Sequence, residues 1–461
     1  MAGADGANTR LAAVIAEAGW SHAQTAAAFT RVASESGAHE LLGVGRSHVS
    51  HWVAGSRPSG RSPSILCEAL SRRLGRLVTL CEAGLADEPS PGLALDWDAD
   101  TLTALADLGR LNVDAARRRV LSGTAYSVAT LTLPAVWWER LASRRTWPTG
   151  GAGVAGWGDL EAVREMVAAF SRVDQRRGGG HGRSALVQYL TSDVAAYLHG
   201  RFTEESLRDA MFSTAGELAY LCGWMAFDNA EHALAQRYFT IALKLAAEAG
   251  NPPLAGHILR AMAHQAVDLG HPRQALGLAT ASTEGDPYTQ ACPRERALFG
   301  VVHARALAAT GDRQAATRAL LRAEDDLATA TADDEEPGRV FFFGEASLAH
   351  ETACALRDIG DLTGSIREFE RSVRTRRAAT FTRTHAVTLG YLGAVHARQG
   401  AMDEACAAWS HALEAMEGVR SARARQTVLD MRSVLSSFRG RGIRAVTDLD
   451  ARASRYLAYT A

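Results

Sequence analysis

A short polar stretch, GRSHVSHWVAGSRP at residues 45–58, carries side chains suited to reading a pattern of hydrogen-bond donors and acceptors. At helical spacing Val49 and Trp52 face inward together, which leaves the other side chains on an outer face. Arginine can bind guanine O6 and N7 with two hydrogen bonds, and serine and histidine can exchange hydrogen bonds with base edges. The side chains that such a helix would offer to a DNA major groove are Arg46, Ser47, His48, Ser50 and His51.

The charge around this stretch is locally basic. The whole chain has 50 Lys and Arg against 51 Asp and Glu, so affinity for a polyanion must come from a local patch. Residues 45–76 contain six arginines and one acidic residue, Glu68. Such a surplus is typical of phosphate contact. From these residues alone, a solvated polar helix with a buried tryptophan is the alternative interpretation.

Further helices are predicted on both sides of the polar stretch, within residues 8–86. Asn8 or Thr9 can cap the helix TRLAAVIAEAG, and Ser21 can cap the helix SHAQTAAAFTRVASESG. The segment SPSILCEALSRRLG has apolar residues at helical spacing. Thr79 is the expected N-cap of a short final helix. The sequence therefore predicts a compact helical unit.

Composition and breaks organise the rest of the chain. Its 461 residues are too many for one core of usual size, and 7% aromatic content in an Ala- and Leu-rich chain favours helix. Two stretches rich in glycine and proline, ADEPSPGLALDWDAD and WPTGGAGVAGWG, mark breaks. We predict an all-α chain with a DNA-binding unit at residues 1–86, a linker with connecting helices at 87–158, and a helical-repeat domain at 159–461.

The third region repeats a pattern in which a small residue, a bulky residue and a second small residue follow one another at helical spacing. Successive copies are 40, 41, 49 and 40 residues apart, and a turn position lies five residues before each. Paired helices that repeat in this way stack into a solenoid. The longest interval contains TADDEEPGRV, residues 331–340, which we predict to be a solvated loop. The copies are Ala235/Phe239/Ala242, Ala275/Ala279/Ser282, Ala316/Leu320/Ala323, Ser365/Phe369/Ser372 and Ala405/Trp409/Ala412.

Motifs of catalysis are not found in the sequence. The stretch RRGGGHGRS, residues 176–184, lacks the Gly-Lys-Ser/Thr of a phosphate loop, so we interpret it as a helix-breaking turn. No HExxH pair and no Gly-x-Ser-x-Gly elbow is present. We therefore predict no enzyme activity, no catalytic residue, no cofactor and no metal site.

The cysteines and the first residues of the chain indicate the cellular compartment. Six cysteines are scattered without a CxxC pair, which predicts reduced thiols in the cytoplasm. The beginning of the chain has no basic region followed by an apolar run, so a signal peptide is not expected. We expect a cytoplasmic protein that does not enter a membrane.

The polar stretch resembles a known family. Together, SHAQTAAAF and RSHVSHWVAGSRP resemble the helix-turn-helix of phage-repressor (XRE-like) regulators, although Pro58 lies one residue early. The nearly full-length chain also resembles actinobacterial regulators in which such a domain precedes tetratricopeptide-like (TPR-like) repeats. The segments EALSRRLGRLVTLCEAGL, FSTAGELAYLCGWMAFD and LAQRYFTIAL carry that likeness. The residues that match the helix-turn-helix pattern are Ser47, Val49, Ser50, Trp52 and Gly55.

The resemblance implies roles for individual residues. Arg46, Ser47 and His51 would read bases, with His48 and Ser50 near the groove. At the start of the preceding helix Gln24 would touch the DNA backbone, and Arg57 and Arg61 would meet phosphates. Because a single small helix-turn-helix with six arginines gives modest affinity, we expect a homodimer, joined through the repeat domain, on double-stranded DNA with a palindromic operator at the nucleoid. The alternative is a TPR-type protein-interaction scaffold without sequence-specific DNA binding.

The repeats predict a second site. In helical solenoids the first helix of each pair lines a concave face that can hold a peptide, a protein segment or a small molecule. Polar or amphipathic residues in these otherwise apolar helices are candidates for contact with such an effector or partner. Ordinary surface or core positions are the alternative for each of them. The candidates are Arg260, His264, His303, His350 and Tyr391.

Overall fold

A computed structural model describes residues 6–86, 93–113, 126–134, 136–144, 153–331, 335–438 and 444–460. Over these ranges the chain is an all-α helical-repeat fold, which confirms the predicted fold class. The strands within them are two residues long: β1 (Val154–Ala155) pairs in parallel with β2 (Arg201–Phe202).

The N-terminal unit contains four helices around a core of its own. Asn8 caps the first helix through Leu11 N at 2.9 Å, and Ser21 and Gln24 form a capping box at the second. Leu11, Phe29 and Ile65 are fully buried in this core. The helices are α1 (Thr9–Glu17), α2 (His22–Glu35), α3 (Arg46–Val53) and α4 (Ser62–Leu74).

The predicted short helix after Thr79 is wrong, because residues 79–85 form turns. Thr79 Oγ1 accepts a hydrogen bond from Glu82 N at 3.1 Å, as a cap would. However, Asn8 Nδ2 donates to the carbonyl oxygens of Ala83 and Gly84 at 3.0 and 3.2 Å. Gly84 also adopts a φ of 62°, which ends the turn. The segment therefore closes onto the start of α1.

Connecting segments pack on the repeat domain. The 3₁₀ turns Leu93–Leu95 and Ala129–Leu131 flank α5 (Thr101–Val113), and α6 (Trp137–Ala142) follows. Lys244, the single lysine of the chain, is fully buried and donates from Nζ to the carbonyl oxygen of Ala99 at 3.1 Å and to that of Asp96. Burial lowers the pKa of Lys244 to about 8.

Within the described residues, six antiparallel helix pairs form the repeat array, preceded by three further helices. All five predicted small–bulky–small sets are buried. All five predicted turn positions have positive φ, between 60° at Ala230 and 89° at Gly311. The preceding helices are α7 (Trp157–Arg177), α8 (Arg183–Tyr189) and α9 (Ala195–His199). The pairs are α10 (Glu205–Asp228) with α11 (His232–Glu248), α12 (Pro252–Asp268) with α13 (Pro272–Thr283), and, after the short α14 (Gly285–Thr289), α15 (Pro293–Thr310) with α16 (Arg313–Ala328), α17 (Glu345–Asp358) with α18 (Leu362–Thr375), α19 (Thr382–Gln399) with α20 (Met402–Ala415), and α21 (Ala422–Ser436) with α22 (Arg444–Tyr459).

The glycine-rich stretch after α7 joins the beginning of the repeat domain to its end. Arg420 N donates to Arg177 O at 2.7 Å, and Gly180 N donates to Arg420 O at 2.9 Å. A Cβ atom on Gly179 would lie 2.3 Å from the carbonyl oxygen of Met225. The stretch is thus a helix break, as predicted, and also a place where only glycine lets three backbone segments meet. We call residues 177–180 with Arg420 the closing contact.

Replacing Gly179 with alanine tests the closing contact. We expect Gly179→Ala to lower the free energy of unfolding by about 1–3 kcal/mol, since the backbone must shift to admit the methyl group. Urea denaturation measures the change. Gly277→Ala is the matched control, because no atom lies within 4 Å of its Cβ position inside α13. It should leave stability unchanged or raise it. Equal stability of the two variants would contradict this role for Gly179.

Candidate functional site

The polar helix α3 is anchored by its inner side. Val49 is fully buried and Trp52 is 8% exposed, with the Trp52 ring centroid 5.5 Å from that of Phe29 on α2. At its N-terminus, Gly45 N donates to His48 Nδ1 at 3.1 Å. Trp52 and Val49 are therefore core residues, as their spacing indicates, and they fix which face of α3 points outward.

The outer face of α3 carries the polar side chains. Ser50 is half-buried, and its Oγ lies 2.9 Å from Nδ1 of His22 on α2, a partner that the sequence did not reveal. Gln24 is exposed, and its Oε1 accepts from Ser21 N at 2.8 Å, so the Nε2 donor of its amide is left for contact with another molecule. The exposed residues of α3 are Arg46, Ser47, His48 and His51.

The basic surplus around α3 is smaller than the sequence count of six arginines indicates. Arg72 pairs with Glu35 and with Glu68, and Arg76 pairs with Glu17 at 2.8 Å. These partners lie mostly outside the window counted. The remaining arginines are divided: Arg73 Nε donates to Ala18 O at 3.0 Å and Arg61 Nη2 to Ser36 O at 2.8 Å, while Arg46 and Arg57 are exposed beside α3.

A second candidate site is a cavity of about 1000 Å³ inside the repeat domain. Its walls come from α7, from the first helix of each of the six pairs, and from residues 337–343. Because α7 and α21 both contribute, the cavity depends on the closing contact between the two ends of the array. A cavity of this size matches those that hold small molecules in other proteins.

Three of the five predicted contact residues meet in this cavity: Arg260, His264 and His350. Tyr391 instead borders a second cavity of about 760 Å³. His303 borders neither, and its ring nitrogens lie 3.5 and 3.4 Å from hydroxyl groups of α13. Residues two apart on a helix point about 200° apart. Arg305, two residues after His303 on α15, points towards α12, where it lies 3.2 Å from His264. His303 therefore points the other way, towards α13.

Buried ion pairs join distant helices around the cavity. Arg383 on α19 lies 3.1 Å from Asp174 on α7 and 3.1 Å from Asp228 on α10. Burial raises the pKa of Asp174 to about 6, with Asp228 adding to the rise and Arg383 opposing it. This triad could not be predicted from the sequence, because its members are separated by more than 50 residues along the chain.

A second network contains Arg305, which donates to Asp268 at 2.9 Å and to Glu351 at 2.8 Å. Burial acts to raise the pKa of Glu351, but the charges of Arg305 and His264 lower it to about 2. Burial also lowers the pKa of His350 to about 3, so this imidazole is neutral at neutral pH. The network therefore supplies fixed charges and a neutral ring.

The predicted solvated loop at 331–340 is wrong for its described C-terminal part. Residues 337–343 line the cavity, with a 3₁₀ turn at Gly338–Val340. Arg339 donates to Glu295 at 2.8 Å and to Glu217 at 3.1 Å, which draws the segment inward. The pattern misled because this arginine stands just after four acidic residues, two of which lie outside the described residues.

The N-terminal unit and the repeats meet at residues 126–131. Glu68 on α4 accepts from Val128 N at 2.8 Å. On the other side, Gln236 of α11 accepts from Ser127 N at 2.9 Å and donates to Ser127 O at 2.7 Å. The segment is therefore hydrogen-bonded to both units, and we call residues 126–131 the bridging segment.

The raised pKa of Asp174 predicts how stability depends on pH. An aspartate in the unfolded chain ionises near its ordinary pKa of 3.8, whereas the folded value is about 6. The folded state thus holds the proton more tightly, and the stability from this group is lost as pH rises from about 4 to 6. We expect Asp174→Asn to lose less stability than the wild type over that interval in urea titrations. The exposed Asp448→Asn should follow the wild type; three parallel curves would refute the assignment.

The N-terminal unit matches a family model. Residues 11–86 match the family model described as the SP15 N-terminal domain. No curated protein matches the chain significantly. In the described part of the chain, none of the helices is long and apolar enough to cross a membrane. The match ends where the four-helix unit ends, so the likeness belongs to the unit that carries α3.

Proposed function

We propose that the protein is a DNA-binding transcriptional regulator of the cytoplasm and nucleoid. The observation that carries the proposal is the outer face of α3, where arginine, serine and histidine side chains stand exposed on a helix whose orientation Trp52 fixes. Arg46, Ser47 and His51 read base edges, with His48 and Ser50 nearby. Arg57 and Arg61 contact phosphates, and Gln24 contacts the DNA backbone through its amide group.

The small number of unpaired arginines around α3 favours binding to DNA as a dimer. Because Arg72 and Arg76 are neutralised by glutamates, one N-terminal unit offers few cations to phosphates. Two units on a palindromic operator double those contacts, and the symmetry of the operator then mirrors that of a homodimer. In this proposal the repeat domain supplies the dimer contact.

The central cavity is the proposed effector site. An effector that binds one arrangement of the repeats more tightly shifts the population towards it. The bridging segment then transmits that change, because Glu68 and Gln236 hold it from opposite sides. The separation of the two recognition helices changes, and operator affinity changes with it.

A scaffold function is the second candidate. The ion-paired Arg72 of α4 and Arg76, which follows α4, favour it, since their pairing removes part of the basic surface that DNA binding uses. In a scaffold the concave face binds protein segments and the N-terminal unit serves only for docking. Sequence-specific DNA binding separates the two candidates.

Substitutions on α3 test DNA binding. Chromatin immunoprecipitation of the tagged protein first supplies the operator, for which we expect sharp peaks with a palindromic motif. Arg46→Ala and His51→Ala should then each cost about 1–3 kcal/mol of operator binding in gel-shift titrations, since each removes a contact to a base edge.

The control for this experiment is Arg10→Ala. Arg10 is an exposed arginine of α1 whose side chain donates to Cys81 O at 3.3 Å. It should bind the operator like the wild type. A flat immunoprecipitation profile, with Arg46→Ala indistinguishable from the wild type, would favour the scaffold.

The bridging segment generates a separate prediction. Gln236→Ala removes the hydrogen bonds to Ser127 and frees the N-terminal unit to reorient. Affinity for the two-fold operator should fall about three- to tenfold, corresponding to roughly 0.7–1.4 kcal/mol, while affinity for a half-site stays unchanged. The exposed Gln426→Ala, on α21, is the control. Equal losses on both DNA forms would show that Gln236 acts otherwise than by orienting the two units.

A further inference from the structure

The central cavity is lined by buried hydrogen-bond donors that have no acceptor. Among the described residues, Trp224 Nε1, Arg260 Nε and Arg376 Nε are buried nitrogen atoms without a hydrogen-bond partner, and all three residues line the cavity. A buried donor without an acceptor is costly. An occupant that supplies acceptors would satisfy donors from α10, from α12 and from the end of α18.

Two of these donors belong to arginines that form no ion pair with a carboxylate of the described residues. Arg260 is 2% exposed and donates to Tyr220 Oη at 2.7 Å and to the neutral His257 ring at 3.0 Å. Arg376 is 7% exposed, and its described partners are Ala346 O, Ser372 Oγ and Ser347 Oγ. Neither arginine forms an ion pair with a described residue. Buried charges are normally paired, so an anion bound in this cavity would be stabilised by these two arginines.

The carboxylates that line the same cavity do not meet this need. Asp174 and Asp228 pair with Arg383, and Glu351 with Arg305. The remaining two pair likewise, Glu217 with Arg339 and Asp209 with Arg208. Every lining acid thus already has an arginine partner.

Aromatic rings surround the unpaired cations. The guanidinium carbon of Arg260 lies 5.5 Å from the ring centroid of Trp224 and 5.6 Å from that of Phe342. Ser347 connects this group to Arg376, because its Oγ donates to Phe342 O at 2.9 Å and accepts from Arg376 Nη1 at 3.4 Å. Phe341, which also lines the cavity, is 42% exposed and offers an apolar wall.

From these observations we infer that the cavity binds a small aromatic anion, with its acidic group at Arg260, Arg376 and Trp224 Nε1 and its ring among Trp224, Phe341 and Phe342. The anionic oxygen atoms supply the missing acceptors and charge, and the flat ring covers the apolar wall. A carboxylate and a phosphate monoester share this chemistry. The binding site stands on the cavity alone; its effect on transcription rests on the function proposed above.

Isothermal titration of the full-length chain with three matched probes tests the inference. The probes are 2-naphthoate, 2-naphthyl phosphate and the neutral 2-naphthamide. We expect at least one anion to bind at least tenfold more tightly than the amide, and the tighter anion identifies the acidic group. The inference is overturned if the amide binds as well as both anions, or if neither anion binds with a Kd below about 1 mM.

Variants locate the binding site. Arg260→Met and Arg376→Met should each weaken anion binding at least tenfold, while the 76% exposed Arg367→Met on α18 should not. Trp224→Phe keeps a six-membered aromatic ring and removes the Nε1 donor together with the rest of the five-membered ring, so it tests the site even where an arginine variant does not fold; we expect a three- to fivefold loss. Unchanged affinity in Trp224→Phe and in folded arginine variants would place the anion elsewhere.

The two proposals can fail separately. If the wild type binds the anion but no operator, the proposed regulator function is refuted and the anion site stands. If it binds an operator but no anion, the anion site is refuted and the regulator function stands.

Discussion

The buried triad of Arg383, Asp174 and Asp228 is the interaction on which the shape of the repeat domain depends. It joins α7, α10 and α19, while Gly179 N donates to Asp228 at 2.9 Å beside the closing contact. Removing three charges from water costs several kcal/mol for each ion, so such a triad adds less to stability than its attraction suggests. What it favours is the arrangement of α7, α10 and α19 that places Arg383 beside both carboxylates. The cavity exists because this arrangement brings both ends of the array together.

Local features of the fold could be predicted from the sequence. Phe239 and Trp409 are buried where the repeat pattern places them, and the turn glycines Gly270, Gly311 and Gly400 adopt positive φ. Val49 and Trp52 likewise anchor α3, as their spacing indicates. These features depend on residues within about one helical turn of each other, which periodicity and turn chemistry describe well. An all-α repeat fold follows from summing many such signals.

The composition of the two sites could be predicted only in part, because it depends on contacts between distant segments. A count of arginines near α3 could not show that Glu17 and Glu35 neutralise two of them. Helical position alone could not tell His303, which faces α13, from His264, which faces the cavity. The composition of the acidic insert predicted a solvated loop, but Arg339 forms ion pairs with Glu295 and Glu217 that hold the segment against the cavity. In each case a long-range ion pair or the direction of a helix face decided the outcome.

A contiguous set of contacts connects the cavity to the N-terminal unit. Tyr220 on α10 lines the cavity, and its ring centroid lies 5.9 Å from that of Phe239 on α11. One helical turn before Phe239, Gln236 holds the bridging segment, which Glu68 holds from α4. A Cβ at Gly223 would lie 2.7 Å from the Phe239 ring, so α10 and α11 cannot slide past each other without moving it. Close-packed elements transmit such shifts because they have few alternative arrangements. An occupant that displaced α10 would therefore act on the bridging segment through Phe239 and Gln236.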